Sequence, residues 1–184
     1  MKQKIVLIVM GLTLFILLGN ARPIALFDAD SNIIIIKRLE IEILGHSSVG
    51  KYKCVNSHPY KDTIYLNSKT KNRLKSKISM NNFECGNRTM NKDLRNTVKA
   101  TQFPKSTVTI TNIKPSGTDY KCSLNFHITD KNLSYKDLVL KNTKESLEGI
   151  VTVKFTDIGL EPPVKMGGLI KVKDKFVIHF ILFK

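Results

Sequence analysis

A strict alternation of apolar and polar side chains over ten residues constrains this chain more than any other feature. In residues 120–129, Tyr, Cys, Leu, Phe and Ile occupy one parity, and Lys, Ser, Asn, His and Thr occupy the other. Because successive side chains of a β-strand point to opposite faces, this period of two predicts a strand with one buried face. A helix would distribute the same apolar residues around its axis, so the pattern argues against a helix here.

The same alternation recurs along most of the chain. It is found in residues 33–44, 49–55, 74–80, 107–111, 151–156 and 176–183, with shorter apolar pieces at 64–66, 138–140 and 169–172. Turn-forming residues separate these stretches at 45–48, 114–119 and 130–134. We therefore predict eight or nine short strands, paired antiparallel because parallel strands need long crossovers. Eight such strands close into a barrel, and two packed sheets are the alternative that the pattern leaves open.

One segment, residues 89–100, has the period of a helix. Met90, Leu94 and Val98 recur at intervals of four residues, which predicts a short amphipathic helix with a narrow apolar stripe. Thr89 is the predicted N-cap, and Asp93 suits the positive end of the helix dipole. We expect this helix to flank the sheet.

The N-terminus resembles a secretory signal peptide. Lys2 and Lys4 precede an apolar run at residues 5–18, and Gly19, Asn20 and Ala21 follow it. The run is shorter than the roughly 20 residues that a membrane-spanning helix needs. We expect residues 1–21 to be removed on export, which leaves residues 22–184 as one domain in the periplasm or outside the cell. An uncleaved N-terminal anchor is the alternative.

The chain is strongly basic, with a formal net charge of +15. Its lysines alternate with apolar residues along the strands and do not form one block, and no nucleic-acid-binding motif accompanies them. We interpret them as solvated strand faces and predict no nucleic-acid partner. A basic surface also attracts anionic membranes, so contact with a membrane surface stays open.

The residues that usually carry chemistry are scattered. No Cys-x-x-Cys spacing occurs, and the four histidines are isolated from one another and from the cysteines, so no metal site is predicted. No Ser-His-Asp, Cys-His or paired-carboxylate arrangement can be assembled from the spacing. We predict a protein that is not an enzyme and that has no cofactor.

Three cysteines, Cys54, Cys85 and Cys122, are present. In an exported protein, one pair is expected to be oxidised. Cys54 and Cys85 end segments that a barrel can make neighbours, so we predict a disulfide between them. Cys122 has the parity of the apolar residues in its strand and is predicted to be a small buried side chain. A Cys54–Cys122 bond or three free thiols are the alternatives.

Four segments also carry a resemblance to a known family. They are LEIEILGHSSVGKYKCV, ISMNNFECGNRTMNKDLRNTVKATQFP, YKCSLNFHITDKN and FTDIGLEPPVKMGGLIKVKDKFVIHFIL, and they cover about residues 39–182. In this order they resemble the opening strands, connecting helix, central strand and final hairpin of the YceI-like, polyisoprenoid-binding family, especially its Bacteroidetes-type exported forms. The resemblance implies an all-β, eight-stranded, lipocalin-like antiparallel barrel that wraps a long isoprenoid chain.

The sequence departs from the family pattern at turns and lining positions. Phe126, His127 and Ile128 stand where Leu-Thr-Ile is frequent, and Ile158 stands where Phe is frequent. Asp130 and Lys131 occupy a turn in which Gly is common. These changes leave the predicted fold in place, and the identity of the ligand does not follow from the resemblance.

In a barrel that holds a ligand, one face of each strand points inward. The predicted lining consists of fourteen residues of inward parity: Tyr52, Ile78, Met80, Val108, Ile110, Tyr120, Leu124, Phe126, Ile128, Val153, Phe155, Phe176, Ile178 and Phe180. Phe and Met offer large apolar area without demanding hydrogen bonds, which suits a flexible lipid chain.

The predicted function is therefore that of an exported binding protein. Its ligand is an isoprenoid or another long-chain, lipid-like amphiphile in the barrel interior, with lysines near the mouth for an anionic head. The alternative is a filled barrel that acts as a protein–protein interaction module at the cell surface or in the periplasm. Independently, Val177 and Ile181, on the outward parity of the last strand, indicate either the seam of a homodimer or a site where a helix packs.

Overall fold

The structure is a computed structural model and describes residues 32–184. In this part of the chain, eight strands, each antiparallel to its neighbours, form the wall of the protein. Their bounds are β1 (Ile33–Ser47), β2 (Gly50–Tyr65), β3 (Arg73–Ser79), β4 (Lys105–Ser116), β5 (Asp119–Ile128), β6 (Lys131–Asn142), β7 (Ser146–Lys154) and β9 (Ile170–Phe183). A two-residue strand, β8 (Val164–Lys165), pairs only with β9. The predicted signal peptide, residues 1–21, lies outside the described residues.

The strands form one sheet in the order β2-β1-β9-β7-β6-β5-β4-β3, and β2 and β3 meet again at its two ends. A single sheet that returns on itself in this way is a barrel, here nearly closed. The structure thus confirms the predicted eight-stranded, lipocalin-like antiparallel barrel with one short helix. It excludes the alternative of two packed sheets.

The inward side chains fill one end of the barrel completely. At the end where β1 begins, the largest side chains with almost no solvent exposure meet in the interior: Ile36, Leu39, Ile64, Leu74, Ile110, Ile113, Leu124, Leu140 and Leu147. The register places such residues side by side on the inward face, since Ile34 pairs with Ile64 and Leu74 pairs with Ile110, and all four are buried. This end is a solid apolar core, so the barrel can be accessible only from the other end.

The barrel closes between β2 and β3 through a seam that contains little backbone pairing. One bridge, between Val55 and Glu84, has backbone hydrogen bonds of 2.9 Å in both directions. Next to it, a disulfide joins Cys54 to Cys85. The structure thus pairs the two cysteines that the sequence analysis paired, and it leaves Cys122 free and buried.

Further along the seam, side chains of β2 replace the missing ladder. Asn56 Nδ2 donates to the backbone oxygen of Ser79 at 2.9 Å, and Tyr60 Oη donates to that of Lys75 at 2.9 Å. Between them, His58 Nε2 lies 3.4 Å from Ser76 Oγ. Polar side chains therefore hold together two strand edges whose backbone groups do not pair directly.

Two strands are longer than the apolar pattern predicts. The stretches at 49–55 and 64–66 belong to one strand, β2, which runs through Pro59 beside a β-bulge of the β1–β2 pair. Because β2 has a ladder partner only on the β1 side, the missing N–H of a proline is tolerated there. Similarly, β9 is continuous across a register shift between Gly45 and Ser47 of β1, where a polar Lys-Asp-Lys run interrupts the apolar pattern.

Two turns are also shorter than predicted. The turn between β4 and β5 is reduced to Gly117 and Thr118, and the one between β5 and β6 to Thr129 and Asp130. The neighbouring turn-forming residues are part of the strands. Their polar side chains are tolerated because these strand ends reach the solvent.

The single described α-helix, α1 (Arg88–Thr97), lies between β3 and β4. Its N-cap is Asn87 and not Thr89, because the side chain of Asn87 accepts the Met90 N–H at 2.9 Å. Asp93 consequently falls in the second turn. The buried Asn91 anchors the helix to the seam, since its Oδ1 accepts the Cys85 N–H at 2.6 Å. Within residues 32–184 no helix is long and apolar enough to cross a bilayer.

Candidate functional site

A cavity of about 920 Å³ occupies the open end of the barrel, opposite the solid core. This volume lies in the range of small-molecule and lipid sites. Its walls are mainly apolar and come from β1, β2, β3, β5 and β9, from the residues that follow β3 and β7, and from α1. The principal apolar lining is Ile41, Ile43, Tyr52, Ile78, Met80, Phe83, Met90, Leu94, Val98, Phe126, Ile128, Phe155, Ile158, Phe176 and Ile178.

The unequal length of the strands leaves space for this cavity. β3 has seven residues whereas β1 has fifteen, so β3 ends where the cavity begins. The chain then crosses this end of the barrel as residues 80–104, which include α1. The apolar stripe Met90, Leu94 and Val98 lines the cavity, and Met90 and Leu94 remain half-buried. A packed core would bury this stripe fully. The partial exposure of Met90 and Leu94 therefore shows that the helix faces an open space.

Aromatic rings form one wall of the cavity. The rings of Phe155 and Phe176 are 4.8 Å apart between centroids and tilted by 50°. Phe126 packs edge-on against Phe180 at 6.0 Å, and Phe180 belongs to the solid core. These pairs fix the rings against one another, so they offer rigid apolar faces to a guest.

The interior of the cavity is uncharged at neutral pH. Burial raises the pKa of Tyr52 to about 12, so its hydroxyl stays protonated. Among the described lining residues, the charged side chains are Arg88, Asp93 and Lys165, all at the mouth. Lys165 Nζ lies 2.7 Å from Asp93 Oδ1, and this ion pair ties α1 to the hairpin formed by β8 and β9.

Eight of the fourteen residues predicted to line the barrel do line this cavity: Tyr52, Ile78, Met80, Phe126, Ile128, Phe155, Phe176 and Ile178. The other six lie outside the cavity lining: Val108, Ile110, Tyr120, Leu124, Val153 and Phe180. Five of these six are buried in the packed core, and Tyr120 packs against its edge. Side-chain parity identifies the inward face of a strand, but it contains no information on depth along the barrel.

Several lining residues were missed by the sequence analysis. Ile41 and Ile43 have the inward parity of β1, and the same parity rule would have found them. The helix stripe was recognised as apolar but was not assigned to a binding surface. Phe83, Ile158 and the hairpin residues Ile170 and Val172 lie where loops fold back over the mouth, and no local pattern signals that.

The free cysteine is a structural residue. Cys122 is buried, and burial raises the pKa of its thiol to about 12. A thiol that stays protonated is a poor nucleophile and a poor metal ligand. Cys122 therefore packs as a small apolar side chain.

The densest group of ionisable side chains lies on the outer wall, away from the cavity. His179 Nδ1 lies 3.3 Å from Glu42 Oε2, and His179 Nε2 lies 3.2 Å from Glu148 Oε2. Burial opposes ionisation of Glu42, but Lys53 and His179 outweigh it and hold the pKa of Glu42 below its usual value. Across residues 32–184, no three His, Cys, Asp or Glu side chains form a group that could hold a metal ion.

The outward position Ile181, predicted to belong to a dimer seam, is almost covered by its neighbours. Val177 is half-buried. The last strand therefore offers little free apolar surface to a second copy of the chain, and the homodimer stays a prediction.

Comparisons with known proteins give likenesses among solved structures. No protein-family model and no curated protein matches the sequence. Among solved structures, the chain is similar to a polyisoprenoid binding domain from Saccharophagus degradans implicated in plant cell wall breakdown. The TM-score is 0.46 and the sequence identity 12%, over 80% of this chain and 99% of that chain. A likeness of this size identifies neither a family nor a ligand, so the function has to be argued from the cavity.

Proposed function

We propose that this protein binds a lipid-like amphiphile, a polyisoprenoid or another long-chain lipid, with the apolar chain inside the barrel. The observation that carries the proposal is the apolar cavity of about 920 Å³, which is open at one end and ends on a solid core at the other. A blind apolar cavity suits a molecule with one long apolar part and one polar end. The chain enters first, and the head remains at the mouth.

The energetics favour such a ligand. Each buried methylene group contributes about 0.8 kcal/mol. Ten of them contribute about 8 kcal/mol, which corresponds to a micromolar dissociation constant before the cost of ordering the chain is subtracted. Most of the lining is apolar and forms no hydrogen bond with a guest, which suits a long apolar chain.

The mouth favours an anionic head group. Arg88 and Lys165 both line it, and Asp93 balances one of these two charges. An anionic head beside Arg88 can interact with the cation while its chain occupies the cavity. A filled barrel that serves only as an interaction module is not supported by a cavity of this size.

Export is part of the proposal. The signal-like N-terminus supports it, and a disulfide between Cys54 and Cys85 suits an oxidising compartment. The sequence of the N-terminus of the protein purified from an exporting host tests this. A chain that begins at Arg22 is expected, and a retained N-terminus would contradict cleavage after Ala21.

The test of binding is native mass spectrometry of the purified protein, followed by organic extraction and lipid analysis. A long-chain lipid should copurify, and a fluorescent long-chain probe should compete with it. The variant M90W places a bulky ring at the cavity and should weaken probe binding. The matched variant I150W, at an exposed position of the outer wall, should bind like the wild type.

Two results would contradict the proposal. One is a folded protein that carries no lipid and binds no long-chain probe. The other is equal probe binding by M90W and I150W, since the probe would then sit outside the cavity.

A further inference from the structure

The mouth of the cavity carries a hairpin built from β8, a tight turn and the start of β9. Val164 pairs with Lys171, and Lys165 pairs with Ile170. At the tip, Gly167 and Gly168 have φ values of 64° and 100°, which glycine adopts without strain. We call residues 162–173 the mouth hairpin.

The two faces of the mouth hairpin differ in their surroundings. Lys165, Ile170 and Val172 line the cavity, and Met166 borders it at the tip. Because side chains alternate along a strand, Val164, Lys171 and Lys173 lie on the opposite face, towards solvent. Met166 and Leu169 project at the tip. The side chains of the outer face and of the tip are exposed, and the backbone of the tip is held by Ser48, whose hydroxyl donates to the Leu169 backbone oxygen at 2.9 Å.

Exposed apolar side chains concentrate at this place. Residues 32–184 contain nine large apolar side chains that are exposed, and four of them surround the mouth. These four are Val49 (71% exposed), Val164 (59%), Met166 (70%) and Leu169 (73%). The turn that carries Val49 is joined to the mouth hairpin, since the Ser48 N–H donates to the Lys171 backbone oxygen at 2.9 Å. Exposed apolar groups clustered in this way mark an interaction surface.

Positive charge surrounds this apolar cluster. Residues 162–173 contain three lysines and no Asp or Glu. Lys171 and Lys173 are exposed beside Val164, and Lys51 is exposed two residues after Val49. An anionic bilayer has negatively charged head groups above an apolar interior. Exposed apolar side chains surrounded by lysines complement such a surface.

We propose that the mouth hairpin docks on an anionic lipid bilayer, with Met166 and Leu169 inserted among the head groups and Lys171 and Lys173 on the phosphates. A bilayer fits better than a protein partner because the cavity opens at the same rim. Docking there presses the mouth against the membrane. An apolar chain can then pass between the bilayer and the cavity without contacting water. The choice of a bilayer over a protein partner thus rests on the proposed function, whereas the exposed apolar and basic residues of the rim do not depend on what the cavity holds.

A tryptophan reporter tests the proposal, because the chain contains no tryptophan of its own. The full chain carrying L169W is mixed with vesicles of phosphatidylcholine and phosphatidylglycerol, and with vesicles of phosphatidylcholine alone. We expect a blue-shifted emission, and quenching by brominated lipid, with the anionic vesicles. The control I150W, at an exposed position of the outer wall, should change little.

Charge is tested separately in the L169W background. K171Q/K173Q should weaken the affinity for anionic vesicles roughly 10- to 30-fold, since each lysine at such a surface contributes about fivefold. The matched variant K141Q/K144Q removes two exposed lysines far from the mouth and should bind like the parent.

Three outcomes would overturn the proposal. The first is an L169W emission that anionic vesicles leave unchanged, and the second is an equal response of I150W, since a membrane contact by another segment would affect both reporters alike. The third is a blue shift that depends on protein concentration without lipid, which would assign the rim to a second copy of the chain. Lipid extraction reports on the cavity independently, so failure of docking and failure of cavity binding are distinguishable.

Discussion

At one position the absence of a side chain decides where an aromatic ring lies. Gly45 is an inward residue of β1, opposite Phe176 on one side and Tyr52 on the other. A Cβ added to Gly45 would overlap the hydroxyl and the ring of Tyr52. The glycine therefore lets the Tyr52 ring lie across the backbone at the edge of the cavity.

We expect G45A to destabilise the protein by about 1–3 kcal/mol, the usual cost of overpacking, because the Tyr52 ring has to move. Urea unfolding monitored by circular dichroism measures this cost. The double variant G45A/Y52L removes the ring and should recover most of the lost stability. Equal destabilisation in the single and double variants would show that the close contact does not involve Tyr52.

A second residue effect concerns His58 in the seam. Burial lowers the pKa of His58, which lies 3.4 Å from Ser76 Oγ and edge-on to the Tyr60 ring. The unfolded chain therefore binds a proton at a higher pH than the folded chain does. As the pH falls through about 6.5, the unfolded state gains more from protonation, so the stability decreases.

The variant H58Q cannot be protonated, and it should lose part of the decrease in unfolding free energy between about pH 7 and pH 5. Urea unfolding at several pH values measures this slope. H127Q, at an exposed position of the outer face, is the matched control and should keep the wild-type slope. If H58Q and the wild type have the same slope, the seam contributes nothing to the pH dependence.

Side-chain parity predicted which residues point into the barrel, but it did not predict how far along the barrel axis each of them lies. Val108 and Phe126 are neighbours across β4 and β5 and both point inward, yet only Phe126 reaches the cavity. Depth depends on where strands from distant parts of the chain end, and the sequence of one strand does not contain that information. The cap of α1 shows a similar limit, because Asn87 and Thr89 are both good N-cap residues and tertiary contacts choose between them.

At the scale of elements, the disulfide stands where the barrel has its weakest pairing. β2 has one backbone bridge, between Val55 and Glu84, to the segment that follows β3, and this bridge lies beside Cys54 and Cys85. Polar side chains join β2 to β3 along the rest of the seam. A covalent bond at this point constrains the two strands that β-ladder hydrogen bonds do not hold. The positions of the two cysteines predict this pair, but nothing in the sequence indicates that the bond lies on the seam.

We expect C54S/C85S to lower the free energy of unfolding by about 3–4 kcal/mol, from the loop entropy of a crosslink between residues 31 apart. Guanidinium unfolding measures the loss, and peptide mapping under non-reducing conditions verifies the bond in the wild type. C122A removes a buried thiol outside the seam and should cost less. Three free thiols in the wild type, or a Cys54–Cys122 peptide, would contradict the assignment.

At the scale of the whole molecule, the alternation predicted about eight antiparallel amphipathic strands, which bury one face each either in a barrel or between two packed sheets. The cavity follows from a different property, the mismatch between the short β3 and its long neighbours, which leaves α1 and the mouth hairpin to cover one end. Length mismatch appears only once the register of the strands is known. The antiparallel strands were therefore predictable from the alternation and the barrel from the family resemblance, whereas the position of the mouth was predictable from neither.

The cover of the cavity consists of two elements joined by one ion pair, and this arrangement predicts how a ligand leaves. Lys165 on the mouth hairpin and Asp93 on α1 are 2.7 Å apart and partly exposed, so their pair adds at most about 1 kcal/mol to the closed arrangement.

Because D93N removes this ion pair, it should accelerate release of a bound long-chain probe up to about fivefold, with little change in the unfolding free energy. Stopped-flow displacement measures the rate, and E40Q, which breaks the Arg38–Glu40 pair on the outer wall outside the cavity lining, is the control. Higher salt should accelerate release from the wild type and leave D93N nearly unaffected, because salt screens a pair that the variant lacks. If both proteins release the probe at one rate at every salt concentration, the helix and the hairpin do not form the gate.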